Sequence, residues 1–192
     1  MPNSTEQRPS SLAFDDPDLP VPSFAVRTLV TIAERRKGVD AARCRLALLH
    51  LESALLIHRS LRRALTGHKL SDLQFAVLVI LFSTEPEPLS ASVLAEHAGV
   101  TRSAMTDALD KLEAARFLDR LRDEIDRRII HVRITPAGQE AIDRAVNDYL
   151  RAAEEAVREL QPSMQRALLA AYVELLRSLT TRAEPSAGTA PL

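Results

Sequence analysis

The order of structural elements is decided by residues 88–138, which read PLSASVLAEHAGVTRSAMTDALDKLEAARFLDRLRDEIDRRIIHVRITPAG. Ser90 can cap a helix of about eight residues, which ends at Ala98-Gly99. A second helix, from Arg102 to Ala115, follows the cap residue Thr101. Residues 117–122 and 129–134 are short and rich in aliphatic side chains, and the charged segment DEIDRR separates them. The stretch therefore predicts two short helices followed by a β-hairpin with a long tip.

The second helix has side chains suited to DNA recognition. A helix fits the major groove of B-DNA with its first turn facing the base edges, where short polar and arginine side chains are favourable. The candidate DNA-contacting residues of this recognition helix are Thr101, Arg102, Ser103 and Thr106. The residues expected to face the core are Val100, Met105, Leu109 and Leu112. This division into two faces predicts a winged helix-turn-helix in which the hairpin is the wing.

Arginines along the hairpin are the second set of candidate DNA contacts. Arg127 and Arg128 lie at its tip, where they can reach a neighbouring minor groove, and Arg120 and Arg122 lie on its first strand. Asp126 is predicted to orient a tip arginine through a bidentate pair. From Thr101 to Arg133 there are eight Lys and Arg against seven Asp and Glu. The DNA prediction therefore depends on placement, and the alternative is a solvated, salt-bridged hairpin.

The helices on either side of this region are long and apolar. Residues 22–37 open with Pro and close with a basic cluster before Gly38, which predicts a short extra helix within 21–39. Residues 40–66 form a helix with apolar side chains around its whole circumference, so it must be covered on all sides. Gly67 is a natural residue to end it, and Ser71 can cap the next helix, predicted as Asp72 to Phe82.

Two more helices complete the chain. Thr135-Pro136 starts a helix whose apolar stripe extends to about residue 160, and another follows Pro162 to about residue 182. Residues 1–20 and 184–192 are rich in Pro and small or polar residues, and we expect both tails to be disordered. The predicted fold is mostly α-helical with a small β-hairpin wing.

Composition excludes several classes of protein. The chain has 192 residues, a formal net charge of −1, one Cys and five Gly. The longest apolar run, Phe75 to Phe82, is far too short to span a bilayer, and a cytoplasmic location is expected. Glycine loops for phosphate, nucleophile motifs and metal-ligand spacings are not found, so we expect no enzyme activity, no cofactor and no metal site.

The chain resembles the MarR-type winged-helix repressors over about residues 41–182. The most specific parts are LSDLQFAVLVIL from Leu70, PLSASVLAEHAGVTRSAMTDALDKLEAARFLDR from Pro88, and DRRIIHVRITPAG from Asp126. The resemblance implies one domain over 40–183 with the winged helix-turn-helix at about 70–138. It also implies an obligate homodimer formed by helices at about 40–66 and 136–183, which reads a short palindromic DNA operator.

Many members of this family release DNA when a small aromatic or phenolic acid binds between the dimerisation helices and the winged domain. For this chain the resemblance implies such an effector site, with His50, His58, Arg62 and Phe75 as its candidate residues. Each histidine has the alternative of being an ordinary core or surface residue. The sequence departs from the family at Arg116, where Gly is usual. Either Arg116 tolerates a left-handed backbone or the turn into the wing has another geometry.

The sequence leaves two other functions open. One branch of the family senses peroxide through an N-terminal cysteine, and Cys44 is flanked by Arg43 and Arg45. Adjacent residues on a helix project away from one another, which favours a structural cysteine. The other alternative is a helical protein-interaction module whose winged domain no longer binds DNA, since Asp107 and Asp110 lie near the polar face of the recognition helix.

Overall fold

Hydroxyl side chains cap five of the helices in the computed structural model, which describes residues 23–122 and 129–183. Each hydroxyl oxygen accepts a hydrogen bond from the backbone N–H three residues later, which satisfies a donor that the helix itself leaves unpaired. The capping residues are Ser23, Ser71, Ser90, Thr101 and Thr135. At Ser71 the cap is reciprocal, because the Gln74 side chain accepts from the Ser71 N–H at 2.9 Å.

The described residues form helices and strands in a fixed order. In chain order they are α1 (Phe24–Glu34), α2 (Ala41–Thr66), α3 (Asp72–Thr84), β1 (Leu89–Ser90), α4 (Ala91–His97), α5 (Arg102–Ala114), β2 (Leu118–Arg122), β3 (Ile130–Ile134), α6 (Pro136–Glu155) and α7 (Pro162–Ala183). The predicted fold class is confirmed, because the chain is mostly helical with a small antiparallel sheet. The predicted tails 1–20 and 184–192 lie outside the described residues.

The chain divides into two units after His58. In the first unit, polar contacts join α1 to α2 near both ends of α1. The Ser23 N–H donates to Oε1 of Glu52 at 2.7 Å, and Arg45 Nη2 donates to Oε1 of Glu34 at 2.6 Å. Val30 on α1 is 1% exposed. The extra N-terminal helix therefore exists, and it is shorter than residues 22–37.

In the second unit, α3 lies in the middle of the hydrophobic core. Its side chains Val77, Leu78 and Leu81 are almost fully buried, as expected for a helix with apolar residues on nearly every face. The rest of this core comes from short apolar segments of the neighbouring elements. The buried residues that they contribute are Leu65, Leu70, Leu94, Ala95, Met105, Leu109, Leu112, Leu118, Val132, Ile134, Ile142 and Ala145.

The sheet has one strand more than the predicted hairpin. β2 and β3 pair antiparallel as expected, and β1 pairs antiparallel with the other edge of β3. The strand order is therefore β1-β3-β2, with the fully buried Val132 of β3 opposite Leu89 on one side and Arg120 on the other. Because β3 is the central strand, the sheet joins the start of α4 to the wing.

The turn between α2 and α3 differs from the prediction. The positive φ, 57°, belongs to Lys69, and Gly67 does not have a left-handed backbone. The Leu70 N–H donates to the carbonyl oxygen of Leu65 at 3.4 Å, and the Leu70 side chain is only 8% exposed. The chain thus continues to turn until Lys69, at which point Leu70 enters the core.

Three side-chain contacts hold α6 against the rest of the second unit. His68 Nε2 lies 2.8 Å from Oδ2 of Asp148, and Gln139 donates a hydrogen bond to the Glu85 carboxylate. The rings of Phe75 and Tyr149 stack with their centroids 4.6 Å apart. The helix ends at Glu155, about five residues before the predicted end of its apolar stripe.

The first turn of α6 packs directly on the chain that leaves α5. A Cβ added at Gly138 would lie 2.0 Å from the carbonyl oxygen of Phe117 and 2.8 Å from a side-chain carbon of Ile134. The carbonyl belongs to the backbone and cannot rotate away. Glycine is therefore required at this position.

Gly138→Ala is expected to lower the free energy of unfolding by at least about 2 kcal/mol, because a methyl group is forced into the backbone. Gly67→Ala is the matched control, since its Cβ would meet Ala64 at an ordinary 3.8 Å and the change should stay within about 0.5 kcal/mol. Urea denaturation followed by circular dichroism measures both. Equal stability of the two variants would contradict the close packing of Gly138 on the Phe117 carbonyl.

Candidate nucleic-acid interface

The helix pair α4 and α5 presents one polar face to solvent and one apolar face to the core. Gly99, with φ of 64°, makes the turn between them, and the Gly99 and Val100 N–H groups donate to carbonyls of α4. On α5 the side chains of Met105, Leu109 and Leu112 are each 1% exposed. These buried residues fix the rotation of α5 about its axis and thereby its exposed face.

The four predicted recognition residues lie together on this exposed face, in the first turn and a half of α5. Thr101 is the cap residue, and its hydroxyl oxygen accepts from the Ala104 N–H at 3.2 Å. The Thr106 hydroxyl donates to the Arg102 carbonyl at 2.9 Å. Arg102 and Ser103 are exposed. The N-terminus of α5 thus carries a guanidinium and three hydroxyls next to a partially positive helix end.

The backbone between α5 and β2 turns at Arg116, which has φ of 62°. Of the two geometries left open by the sequence, the chain adopts the left-handed one without glycine. Thr135 supports the turn with its hydroxyl and its backbone N–H. Its hydroxyl donates to the Arg116 carbonyl at 2.8 Å, and its backbone N–H donates to the Phe117 carbonyl at 3.0 Å.

The two wing arginines on β2 have different surroundings. Arg120 Nη2 lies 2.5 Å from Oδ1 of Asp110 and Arg120 Nη1 lies 3.5 Å from Oε2 of Glu113, so α5 supplies two carboxylates to one guanidinium. Arg122 is exposed. The predicted tip residues Asp126, Arg127 and Arg128 lie outside the described residues, and their roles stay predictions.

The candidate effector residues are distributed over both units. His50 and His58 lie on α2 in the first unit and are exposed. In the second unit, Arg62 Nε lies 3.3 Å from Oδ2 of Asp72, and Phe75 stacks on Tyr149. An effector role for these residues stays a prediction.

The structure gives Cys44 an intermediate burial on α2, with a free thiol. Within residues 23–122 and 129–183 there is no cluster of three or more His, Cys, Asp or Glu side chains arranged to hold a metal ion. In the same ranges, no helix combines the length and apolar character needed to cross a membrane.

Residues 70–130 match the model of the MarR family. This range begins at the last residue before the α3 cap and ends on the first residue of β3, so it includes the complete helix pair. The winged-helix segment of this chain is therefore similar to the MarR family. The resemblance inferred from the sequence motifs is thereby confirmed.

Two proteins with sequences similar to this chain are named as transcriptional regulators. The HTH-type transcriptional regulator PecS of Dickeya dadantii is 33% identical over 98 residues, which are 50% of this chain and 59% of PecS. The HTH-type transcriptional repressor YetL of Bacillus subtilis is 27% identical over 112 residues, 58% of this chain and 67% of YetL. The chain therefore spans little more than half the length of PecS.

A solved MarR-family structure extends the similarity to most of the fold. Sco3205 of Streptomyces coelicolor, a MarR family transcriptional regulator solved in complex with DNA, is 25% identical with a TM-score of 0.66. The match covers 79% of this chain and 93% of Sco3205. The likeness thus includes helices beyond the 61 residues of the MarR family model, which spans 70–130.

Sequence reasoning missed the carboxylate pair that holds Arg120. A signal for its direction was present, because alternate residues of a strand share a face and Arg120 follows the buried Leu118 by two positions. This alternation directs Arg120 toward the helices. The identity of its partners depends on the angle between α5 and β2, which the sequence does not show.

Replacing Arg116 with Gly is expected to raise the free energy of unfolding by up to about 1 kcal/mol, because a left-handed residue with a Cβ is strained by on the order of 1 kcal/mol. The added entropy of the unfolded chain offsets part of this gain. Lys111→Gly, an exposed position inside α5, should instead destabilise by about 1 kcal/mol. Thermal and urea denaturation measure both variants, and a loss of stability at Arg116 equal to that at Lys111 contradicts the strain.

Proposed function

We propose that this chain is a DNA-binding transcriptional regulator, acting as a homodimeric repressor that binds a short palindromic operator. The observation that carries the proposal is the exposed N-terminal half of α5, held in place by the buried Met105, Leu109 and Leu112. The DNA complex of Sco3205, which shares this fold, supports it. In this proposal α5 enters the major groove and the wing reaches the adjacent minor groove.

A homodimer is supported by apolar surface that the single chain leaves uncovered. Along α7 the side chains Leu169, Leu176 and Leu179 are 65%, 61% and 53% exposed. No residue of α7 is buried among those that the structure describes. α2, which the sequence requires to be covered on all sides, exposes Leu46 at 72%. Apolar surfaces of this extent on helices are typical of protein interfaces.

A second copy of the same chain fits the proposed operator. Two copies related by twofold symmetry place two α5 helices on successive turns of one face of DNA, about 34 Å apart, and such a pair reads a palindrome. Binding over a promoter blocks transcription. Release by a small aromatic acid stays a prediction from the family resemblance, as do the effector roles of His50, His58, Arg62 and Phe75.

The exposed acidic residues on α5 favour one alternative, a winged domain that does not bind DNA. Asp107 and Asp110 lie on the polar face, where carboxylates oppose binding to phosphate. A winged domain without DNA affinity, used for protein contacts, would show the same surface. The DNA measurements below separate this alternative from the proposed function.

Purified protein selected against random double-stranded DNA should enrich a palindrome, with binding that weakens strongly as salt increases. On the enriched DNA, Arg102→Ala is expected to raise Kd about 5- to 150-fold, the effect of losing one good base or phosphate contact. Lys111→Ala is the control, because Lys111 lies near the far end of the same helix. Equal binding by Arg102→Ala and the unchanged protein would contradict the role of α5.

Leu179→Glu on α7 is expected to convert the dimer to monomer, because it places a charge in apolar surface that the second copy should cover. Thr181→Glu, on the opposite polar side of α7, should leave the dimer intact. Sedimentation velocity at several protein concentrations measures both. A monomeric unchanged protein, or a dimer that survives Leu179→Glu as well as Thr181→Glu, would contradict the proposed interface.

A further inference from the structure

We propose that Arg120 is a positioning residue, which holds the wing at a fixed angle to α5 through Asp110 and Glu113 and makes no contact with DNA. The wing is the hairpin of β2 and β3. This inference rests on the proposed DNA-binding function and replaces the prediction, made from the sequence, that Arg120 binds DNA directly.

Arg120, Asp110 and Glu113 form an ion-pair cluster, here called the brace, which joins the strand β2 to the helix α5. Asp110 and Glu113 are three residues apart and therefore lie on one face of α5. The planar guanidinium of Arg120 reaches both, at 2.5 Å from Asp110 and 3.5 Å from Glu113. Arginine suits this task because its rigid fork presents several donors in one plane. On the other side, Arg120 is in register with the fully buried Val132 of β3.

Exposure and charge favour the brace over a DNA contact. The Arg120 side chain is 26% exposed, against 56% for Asp110 and 44% for Glu113. The cation is thus more covered than the two acids that neutralise it. To reach a phosphate, Arg120 would have to leave both carboxylates, and those carboxylates would then face the phosphate without a partner.

The brace is a second point at which the wing is attached to the rest of the winged domain. The first is at the base, where the Thr135 hydroxyl and N–H hold the carbonyls of Arg116 and Phe117. Arg120 lies three residues beyond Phe117, which is about 10 Å along a strand. One attachment leaves a hinge at the turn, whereas two attachments separated by this distance also fix the direction of β2.

The double variant Asp110→Asn with Glu113→Gln tests whether the two carboxylates strengthen or weaken DNA binding. Both side chains are exposed and both replacements keep the size of the original, so the fold is expected to persist. Loss of two negative charges near DNA should tighten binding if these acids only repel phosphate. The brace predicts the opposite, an increase in Kd of about fivefold or more at moderate salt. Asp107→Asn is the matched control, because Asp107 lies on the same helix with no ion pair to any described residue, and it should bind at least as tightly as the unchanged protein.

The salt dependence of DNA binding distinguishes a positioning role of Arg120 from a direct contact with DNA. If Arg122 binds a phosphate, Arg122→Ala reduces the slope of log K against log salt concentration by about one. Arg120→Gln should raise Kd and leave the slope unchanged, and Arg120→Lys, which keeps the charge and loses the fork, should raise Kd as well. A slope that falls by about one in Arg120→Gln, or a double variant that binds as tightly as the unchanged protein or more tightly, overturns the proposal.

Amide hydrogen exchange without DNA gives an independent measurement. Exchange at the β2 and β3 amides should be at least severalfold faster in the double variant and in Arg120→Gln, and unchanged in Asp107→Asn. Unchanged exchange in all three variants overturns the brace. If the unchanged protein selects no DNA, the proposed function fails, whereas the exchange rates still decide whether Arg120 holds the wing.

Discussion

Thr135 joins three segments of the winged domain through one short side chain and its own backbone. Its hydroxyl accepts from the Gly138 N–H at 3.0 Å and donates to the Arg116 carbonyl, while its N–H donates to the Phe117 carbonyl. The end of α5, the base of the wing and the start of α6 are thus fixed to one another. Gly138 allows this approach because it has no Cβ, and the left-handed Arg116 directs the chain into it. The orientation of the exposed face of α5 relative to the wing depends on this junction.

Apolar residues of the second unit are divided between its buried core and the surface of α7. The core of the second unit is complete without α7, because its buried side chains come from α2 through α6 and the sheet. The apolar residues of α7 are left at the surface. Since burial of apolar area is the main favourable contribution to association, the helix that adds least to the core is the one most suited to hold a second copy.

Most of the architecture could be predicted because it depends on local chemistry. Ser90, Thr101 and Thr135 are hydroxyl residues ahead of apolar periodicity, and each caps a helix. What could not be predicted depends on distant packing. β1 has two residues, too few for any period. Lys69 takes the left-handed backbone in preference to Gly67 because Leu70 must reach the core, and no local signal specifies that.

The candidate site shows the same division. The exposed and buried faces of α5 could be predicted from helical spacing, whereas the carboxylates around Arg120 depend on how α5 crosses β2. Arg127 and Arg128 lie outside the described residues, and their roles in DNA binding stay predictions from the sequence alone.

The central position of β3 has a consequence for folding. The pairing of Leu89 with Val132 joins residues far apart in sequence, so the entropy of closing that loop is lost before the contact forms. Folding of the intervening helices α4 and α5 brings the two strands closer together and lowers this entropy cost. The segment from Leu89 to Ile134 is therefore expected to fold as one cooperative unit. A shortened chain that stops before β3 would lose the wing together with the strand partner that anchors the start of α4.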